Sequence, residues 1–200
     1  MKLNSIERLL VNNGVRAMVQ RLCEGPLLRK LGGPVQGGIV LEIGCGQGAG
    51  IEVILQQFQA AHVCAIDLDS LQIEAARKRL HTKYEGRFTL IQGDVNQLPF
   101  EDASFDAAFD FGVLHHVPDW QKAVSEVQRV LKPGGTFYFE EVTRTALESW
   151  VYRKFLEHPV ENRFSEAEFL EEVLKHGMEP AGVVRVLSGD IFICAAKLRE

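Results

Sequence analysis

An α/β domain with an open sheet of buried parallel strands is the fold that the sequence predicts, and three observations predict it. A short β-branched run, Ile39 to Ile43, breaks into glycines and gives way to apolar residues at helical spacing (Ile51, Ile54, Leu55, Phe58), the pattern of strand, tight loop and helix. Two further apolar runs lead into Asp67 and into Gly93-Asp94, so three successive strands finish at an acidic or glycine-rich lip. Strand-like and helical periodicities then alternate along most of the chain. Loops at the carboxyl ends of strands are where open α/β sheets bind ligands.

Composition sets the bounds. The 200 residues are 46% hydrophobic and 24% charged, the balance of one ordinary soluble domain with a single large core. A net charge of -5 gives nucleic acid no bulk attraction. The cysteines at 23, 45, 64 and 194 show neither C-x-x-C pairing nor ligand spacing with histidine, so buried free thiols in a reducing compartment are expected and no metal site. No apolar run approaches membrane-spanning length and the N-terminus lacks a signal peptide's unbroken apolar core, which predicts a cytoplasmic protein without membrane insertion.

In chain order, residues 1–31 carry Ile6, Leu9, Leu10, Met18, Val19 and Leu22 at roughly helical spacing, with Asn12-Asn13-Gly14 as a break between two short helices. Six basic residues against two acidic ones give this preface a charge of +4 and leave -9 on the remainder. Helices covering the sheet with a solvated basic face are the plain expectation; a lid over an anionic substrate and an interfacial helix are the sharper ones, with an apolar stripe too interrupted to favour a membrane. Leu31-Gly32-Gly33-Pro34 ends the preface, and Gly37-Gly38 opens the first strand.

At the first strand's mouth, Glu42 stands two residues before Gly44-Cys45-Gly46-Gln47-Gly48. Glycines tolerate positive φ and let a ligand lie against the backbone. The spacing also fits a dinucleotide fingerprint, but an acid there would repel a pyrophosphate and suits a cation. The second strand, His62 to Asp67, ends in an acid 23 residues beyond Gly44, an offset that suits paired ribose hydroxyls. Asp69 with Gln72 predicts a capping box for the next helix, so Asp69 has structural work available where Asp67 shows none.

The third strand, Phe88 to Ile91, runs to Gly93-Asp94-Val95, and the fourth, Phe105 to Phe111, contains Asp106 and Asp110. Aspartate is costly to bury unpaired, so Asp110 needs a cation, a donor or water. Val113-Leu114-His115-His116 follows, with Asp119 as cap of a helix whose core face is Val124, Val127, Val130 and Leu131. Adjacent histidines in an extended segment point opposite ways, which disfavours joint chelation and leaves one of them to face a pocket.

Lys132-Pro133-Gly134-Gly135 feeds a fifth strand, Thr136 to Glu140. The stretch 141–163, with Trp150, Tyr152 and Phe155, is weakly patterned and suits either a pocket wall or a surface helix. Ser165 and Glu168 form a second capping box, with Phe164 and Phe169 as its staple, for a helix to about His176-Gly177. Two last strands, Gly182 to Leu187 and Ile191 to Lys197, join through Ser188-Gly189-Asp190.

These segments resemble the class I S-adenosylmethionine-dependent methyltransferases, most closely the small-molecule branch that includes quinone-biosynthesis enzymes. The matching stretches are Val40 to Gly48, Ile66-Asp67, Gly93-Asp94, Leu114-His115-His116 and Arg129 to Gly135, in order and at the right spacing over roughly residues 38–140. The resemblance implies a Rossmann-like, seven-stranded, mostly parallel sheet with one antiparallel strand and helices on both faces. It divides the chain into an N-terminal helical cap, 1–34, and a methyltransferase domain, 35–200, within one unit. It also implies that Gly44, Cys45, Gly46 and Gly48 pass under S-adenosyl-L-methionine, with Glu42 near its amino group. Asp67 and Leu68 would take the ribose side, Asp94 and Val95 the adenine, and the backbone at Asp110 or Phe111 the amino group. A small-molecule acceptor is implied, and His115 or His116 is the candidate base where the nucleophile carries a proton. Two rivals share parts of the pattern: an NAD-dependent oxidoreductase, and a cofactor-binding module without catalysis that acts as partner or regulator.

Overall fold

Most strands that follow one another along the chain are neighbours in the sheet, but two successive pairs are separated. A computed structural model, which describes residues 14–148 and 161–200, has one seven-stranded sheet in the order β3-β2-β1-β4-β5-β7-β6. The strands are β1 (Ile39–Ile43), β2 (His62–Asp67), β3 (Phe88–Gln92), β4 (Phe105–Phe111), β5 (Leu131–Val142), β6 (Met178–Val186) and β7 (Ile191–Leu198). All neighbours pair in parallel except β7, which runs antiparallel to both β5 and β6. The chain lays β1 to β3 outward on one side and then returns to place β4 on the other. That reversal opens a crevice at the carboxyl ends of β1 and β4, where sheets of this kind bind ligands.

Helices cover both faces. Helix α1 comprises Gly14–Val19, a π-helical stretch Gln20–Glu24, and Gly25–Gly32; α2 is Ala49–Val53 continued by a π-helical Ile54–Phe58; α3 is Ser70–Leu80. These pack on one core with Val40, Phe109 and Tyr138. On the other face lie α4 (Trp120–Val130) and α6 (Glu166–Lys175), around Leu41, Ile43, Phe137 and Phe139, while α5 (Arg144–Glu148) follows β5. Because strand side chains alternate, Glu42 and Phe111 point to the α1–α2 face and Asp110 to the α4–α6 face.

Several boundaries differ from expectation. β5 starts at Leu131, which pairs with Phe105 before the ladder resumes at Ala107 and Thr136, so Lys132 to Gly135 is an irregularity inside the strand and not a loop before it. β6 starts at Met178, with a second register shift between Pro180 and Gly182. Asp119 precedes α4 without a side-chain cap bond. At α3, Asp69 Oδ1 does accept the Leu71 amide at 3.0 Å, but the Asp69 amide, expected to bond Gln72, donates to Asp67 Oδ1 at 2.9 Å. The Ser165–Glu168 box forms as expected, and the Phe164 and Phe169 rings lie 4.8 Å apart. The first predicted helix, with Ile6, Leu9 and Leu10, and the aromatics Trp150, Tyr152 and Phe155 fall outside the described residues. Among the described residues no helix is long and apolar enough to cross a membrane.

Candidate functional site

The glycine loop is shaped first by the protein's own packing. Gly44 has φ of 62°, and a Cβ there would run into the Val113 side chain. Gly50, in the first turn of α2, lies so close to Glu42 that any side chain would displace the carboxylate. The Cys45 amide donates to Ile66 O (3.1 Å) and the Gly46 amide to Asp67 Oδ2 (2.9 Å), so the end of β2 holds the loop in place. Asp67 therefore has structural work after all, with one oxygen on Gly46 and the other on Asp69.

Above this loop lies a cavity of ≈ 260 Å³. Its wall includes Glu42, Gly44, Cys45, Gly46, Asp67, Leu68, Asp94, Val95, Phe111 and His116 among the residues singled out in the sequence. Three others stand off it. Gly48 (φ 81°) faces Leu80 of α3, Asp110 is fully buried on the opposite face of the sheet, and His115 sits behind His116. The two histidines are not on an extended segment: they share a 3-10 turn, Leu114–His116, with ring centroids 4.2 Å apart. Among the described residues no group of three or more acidic, histidine or cysteine side chains is placed to hold a metal ion.

Acids dominate the electrostatics. Glu42 is 2% exposed, and its Oε2 finds no hydrogen-bond donor among the described residues. Burial, then the charges of Asp67 and Asp110, push its carboxyl well above the usual range. Burial also raises Asp67, against the lowering effect of its two amide donors. Asp94 is exposed, with Oδ1 on the Asn96 amide at 2.9 Å. Lys and Arg reach the described wall only as Arg16 and Arg79, and both are ion-paired: Arg16 to Glu24 and Glu140, Arg79 to Glu52.

Arg16 was not singled out by the sequence, nor were Gln20, Asn96 and Gly112, which also line the cavity. Arg16 carries α1 onto the strand ends: one guanidinium nitrogen bonds Glu140 Oε2 at 2.9 Å and the Phe111 carbonyl at 3.2 Å. Its only sequence signal was a cation in a helix that ends up over the lip. Glu141 was missed for a similar reason, as one of two adjacent acids at a strand end.

An acceptor set of this kind fits a nucleoside that bears positive charge. The orphaned Glu42 oxygen can take an ammonium hydrogen, and each Asp67 oxygen keeps a lone pair for a hydroxyl.

Known proteins share the pattern. Residues 41–139 match the family described as methyltransferase domain. The chain is 36% identical over 107 residues to the fatty-acid O-methyltransferase of Mycolicibacterium smegmatis, covering 54% of this chain and 38% of that protein. It is 35% identical over 109 residues to phosphoethanolamine N-methyltransferase 2 of Caenorhabditis elegans (54% and 25%). It is 37% identical over 101 residues to a sterol 24-C-methyltransferase of Gibberella zeae (49% and 26%). The chain thus spans about two-fifths or less of the length of these relatives. In fold, it superposes on a SAM-dependent methyltransferase from Aquifex aeolicus with TM-score 0.77 at 20% identity, over 98% of this chain and 100% of that one. A putative methyltransferase in complex with the Haloferax volcanii Trm112 activator gives 0.78 at 17% identity, over 93% and 94%.

Proposed function

Since the chain belongs to the class I S-adenosylmethionine-dependent methyltransferases, with their methyltransferase domain at residues 41–139, we propose that it transfers a methyl group from S-adenosyl-L-methionine to a small-molecule acceptor. The observation that carries the reading is the acidic lining of the cavity: Glu42, Asp67 and Asp94 at three strand ends, with both nearby arginines already paired. A pyrophosphate would meet acids there and no unpaired cation, which argues against NAD.

In this reading Glu42 takes the amino group, Asp67 and Leu68 the ribose, Asp94 and Val95 the adenine edge, and the backbone at Gly44 to Gly46 and Phe111 the remainder. The cofactor supplies an already activated methyl group on sulfur. The protein then has to hold the acceptor in line and exclude water, and a base is useful where the nucleophile carries a proton. His116 is the cavity-lining candidate for that base. The relatives named above methylate oxygen, nitrogen and carbon by name, so likeness over this domain does not choose the acceptor atom. Residues 1–34 are proposed as a cap within the same unit, and the four free thiols suit a reducing, cytoplasmic setting, although Cys23 is exposed and Cys64 only partly buried where burial was expected.

Mass spectrometry of the purified protein for co-purified S-adenosylmethionine or S-adenosylhomocysteine, followed by a small-molecule acceptor screen with labelled methyl donor, tests the proposal. Bound nucleoside with methylated product is expected. Bound nucleoside without transfer to any acceptor class would leave a binding module in its place.

A further inference from the structure

Two neighbouring acids end β5 and send their carboxylates to opposite faces of the sheet. Glu140 meets Arg16 of α1. Glu141, wholly buried, meets the 3-10 turn behind the cavity. Its Oε1 accepts the Leu114 amide at 2.6 Å, and its Oε2 bonds His115 Nδ1 at 2.6 Å and the His115 amide at 3.3 Å. One carboxylate thus holds both the backbone of the turn and the first imidazole. The second imidazole, His116, lies 4.2 Å from the first, centroid to centroid, and lines the cavity.

Resting on the methyltransferase reading, we propose that Glu141 is a positioning residue that fixes His115, aims His116 at the cavity, and supplies the counter-charge for a proton taken up by the ring pair. The acceptor class this fits is one whose nucleophilic atom carries an ionisable proton, such as a hydroxyl. In the step, the O–H bond breaks, its electron pair stays on oxygen, and an N–H bond forms on the unprotonated nitrogen of His116. With both rings neutral, Glu141 and the pair carry one negative charge; with one ring protonated they carry none. Two imidazolium rings with centroids 4.2 Å apart would repel, so the unit is suited to one proton at a time.

The surrounding groups agree. Asp110 shares the buried space beside Glu141, while Glu140, Glu24 and Arg16 lie across the sheet as a separate ion-paired cluster. Burial pushes Asp110 well above the usual carboxylate range and Glu141 up to about 7. Geometry favours Glu141 as the one of the two that ionises, since it faces the Leu114 and His115 amides and the His115 ring, whereas Asp110 accepts the Val113 amide. No other residue on the described wall places a neutral nitrogen base there, since its remaining nitrogens belong to guanidinium and amide groups.

The test is nitrogen-detected NMR of the histidines in the full-length protein, with and without S-adenosylhomocysteine, for the parent and for Glu141→Gln and Glu141→Asp. In the parent, neutral His115 should carry its proton on Nδ1. Glu141→Gln keeps an oxygen for the Leu114 amide but removes the charge, so the His115 pKa should fall by about one unit or more. The His116 pKa should fall in the same direction by less, and Glu141→Asp should restore part of both shifts. Identical His116 titration in the parent and Glu141→Gln would overturn the proposal, as would a parental His115 protonated on Nε2. The second result needs no variant and decides the matter even if Glu141→Gln does not fold. Calorimetry with S-adenosylhomocysteine keeps the two readings apart: a parent that fails to bind it contradicts the methyltransferase reading whatever the rings do.

Discussion

A carboxylate whose two oxygens already accept backbone amides can still serve a ligand, because each oxygen has a second lone pair. Asp67 is in that position, and the structure changes what its loss should do. Expected from the sequence alone, Asp67→Ala would weaken cofactor binding with little change in stability. With the Gly46 and Asp69 amides both at 2.9 Å, it should also cost about 1 to 3 kcal/mol of stability. Cofactor affinity should fall on the order of tenfold to several-hundredfold. Asp69→Ala removes only the cap bond to Leu71 and should cost about 1 kcal/mol with a smaller effect on affinity. Melting curves and cofactor titrations of both variants check this, and an Asp67→Ala protein that binds as the parent does would reassign the ribose contact. The acids at the strand ends were legible because each follows an apolar run. Which face each acid would choose was not, since that depends on strand parity at the lip, and this separates Glu42, on the cavity, from Asp110, buried away from it.

At the scale of elements, α1 is part of the sheet's covering. Leu28 is fully buried, and the Tyr138 hydroxyl donates to the carbonyls of Gly32 and Gly33 at 2.9 and 3.0 Å. Arg16 and Gln20 from the same helix line the cavity. Deleting residues 1–31 should therefore abolish cooperative unfolding or lower the melting temperature sharply, and it should reduce cofactor binding along with transfer. A truncated protein that melts and binds as the parent does would show that α1 is dispensable. The sequence foresaw the helix from its spacing and read its basic residues, Arg16 with Arg29 and Lys30, as one solvated face; Arg29 and Lys30 are exposed and Arg16 is not. It could not foresee that Arg16 is half-buried in an ion-paired cluster, because its partners Glu24 and Glu140 meet only when the sheet is assembled. Every strand was found from its apolar run, but the starts of β5 and β6 were set by register shifts that pattern alone does not encode.

For the whole molecule, buried carboxyls tie stability to pH. Glu24 packs against Arg16 with Glu140 nearby, one cation between two acids, and burial pushes it up to about 9 from an ordinary 4.5. The folded chain then holds a proton that the unfolded chain releases, so this contribution is complete below about 4.5 and is lost as pH rises toward about 9. Melting temperature should decline across that window, and Glu24→Gln, a neutral mimic, should flatten the decline. An unchanged slope in the variant would mean that Glu24 stays ionised against Arg16. The same logic applies at the cavity: Glu42 is raised by burial, and a bound cation would draw it back toward ionisation.

Calorimetry of the purified protein with S-adenosylmethionine, S-adenosylhomocysteine and NAD, in two buffers of different ionisation enthalpy, addresses the acidic cavity most directly. Both nucleosides should bind, NAD should give no heat, and binding near neutral pH should release protons as Glu42 ionises beside the ligand's amino group. Tight NAD binding with no response to either nucleoside would contradict the assignment of the cavity.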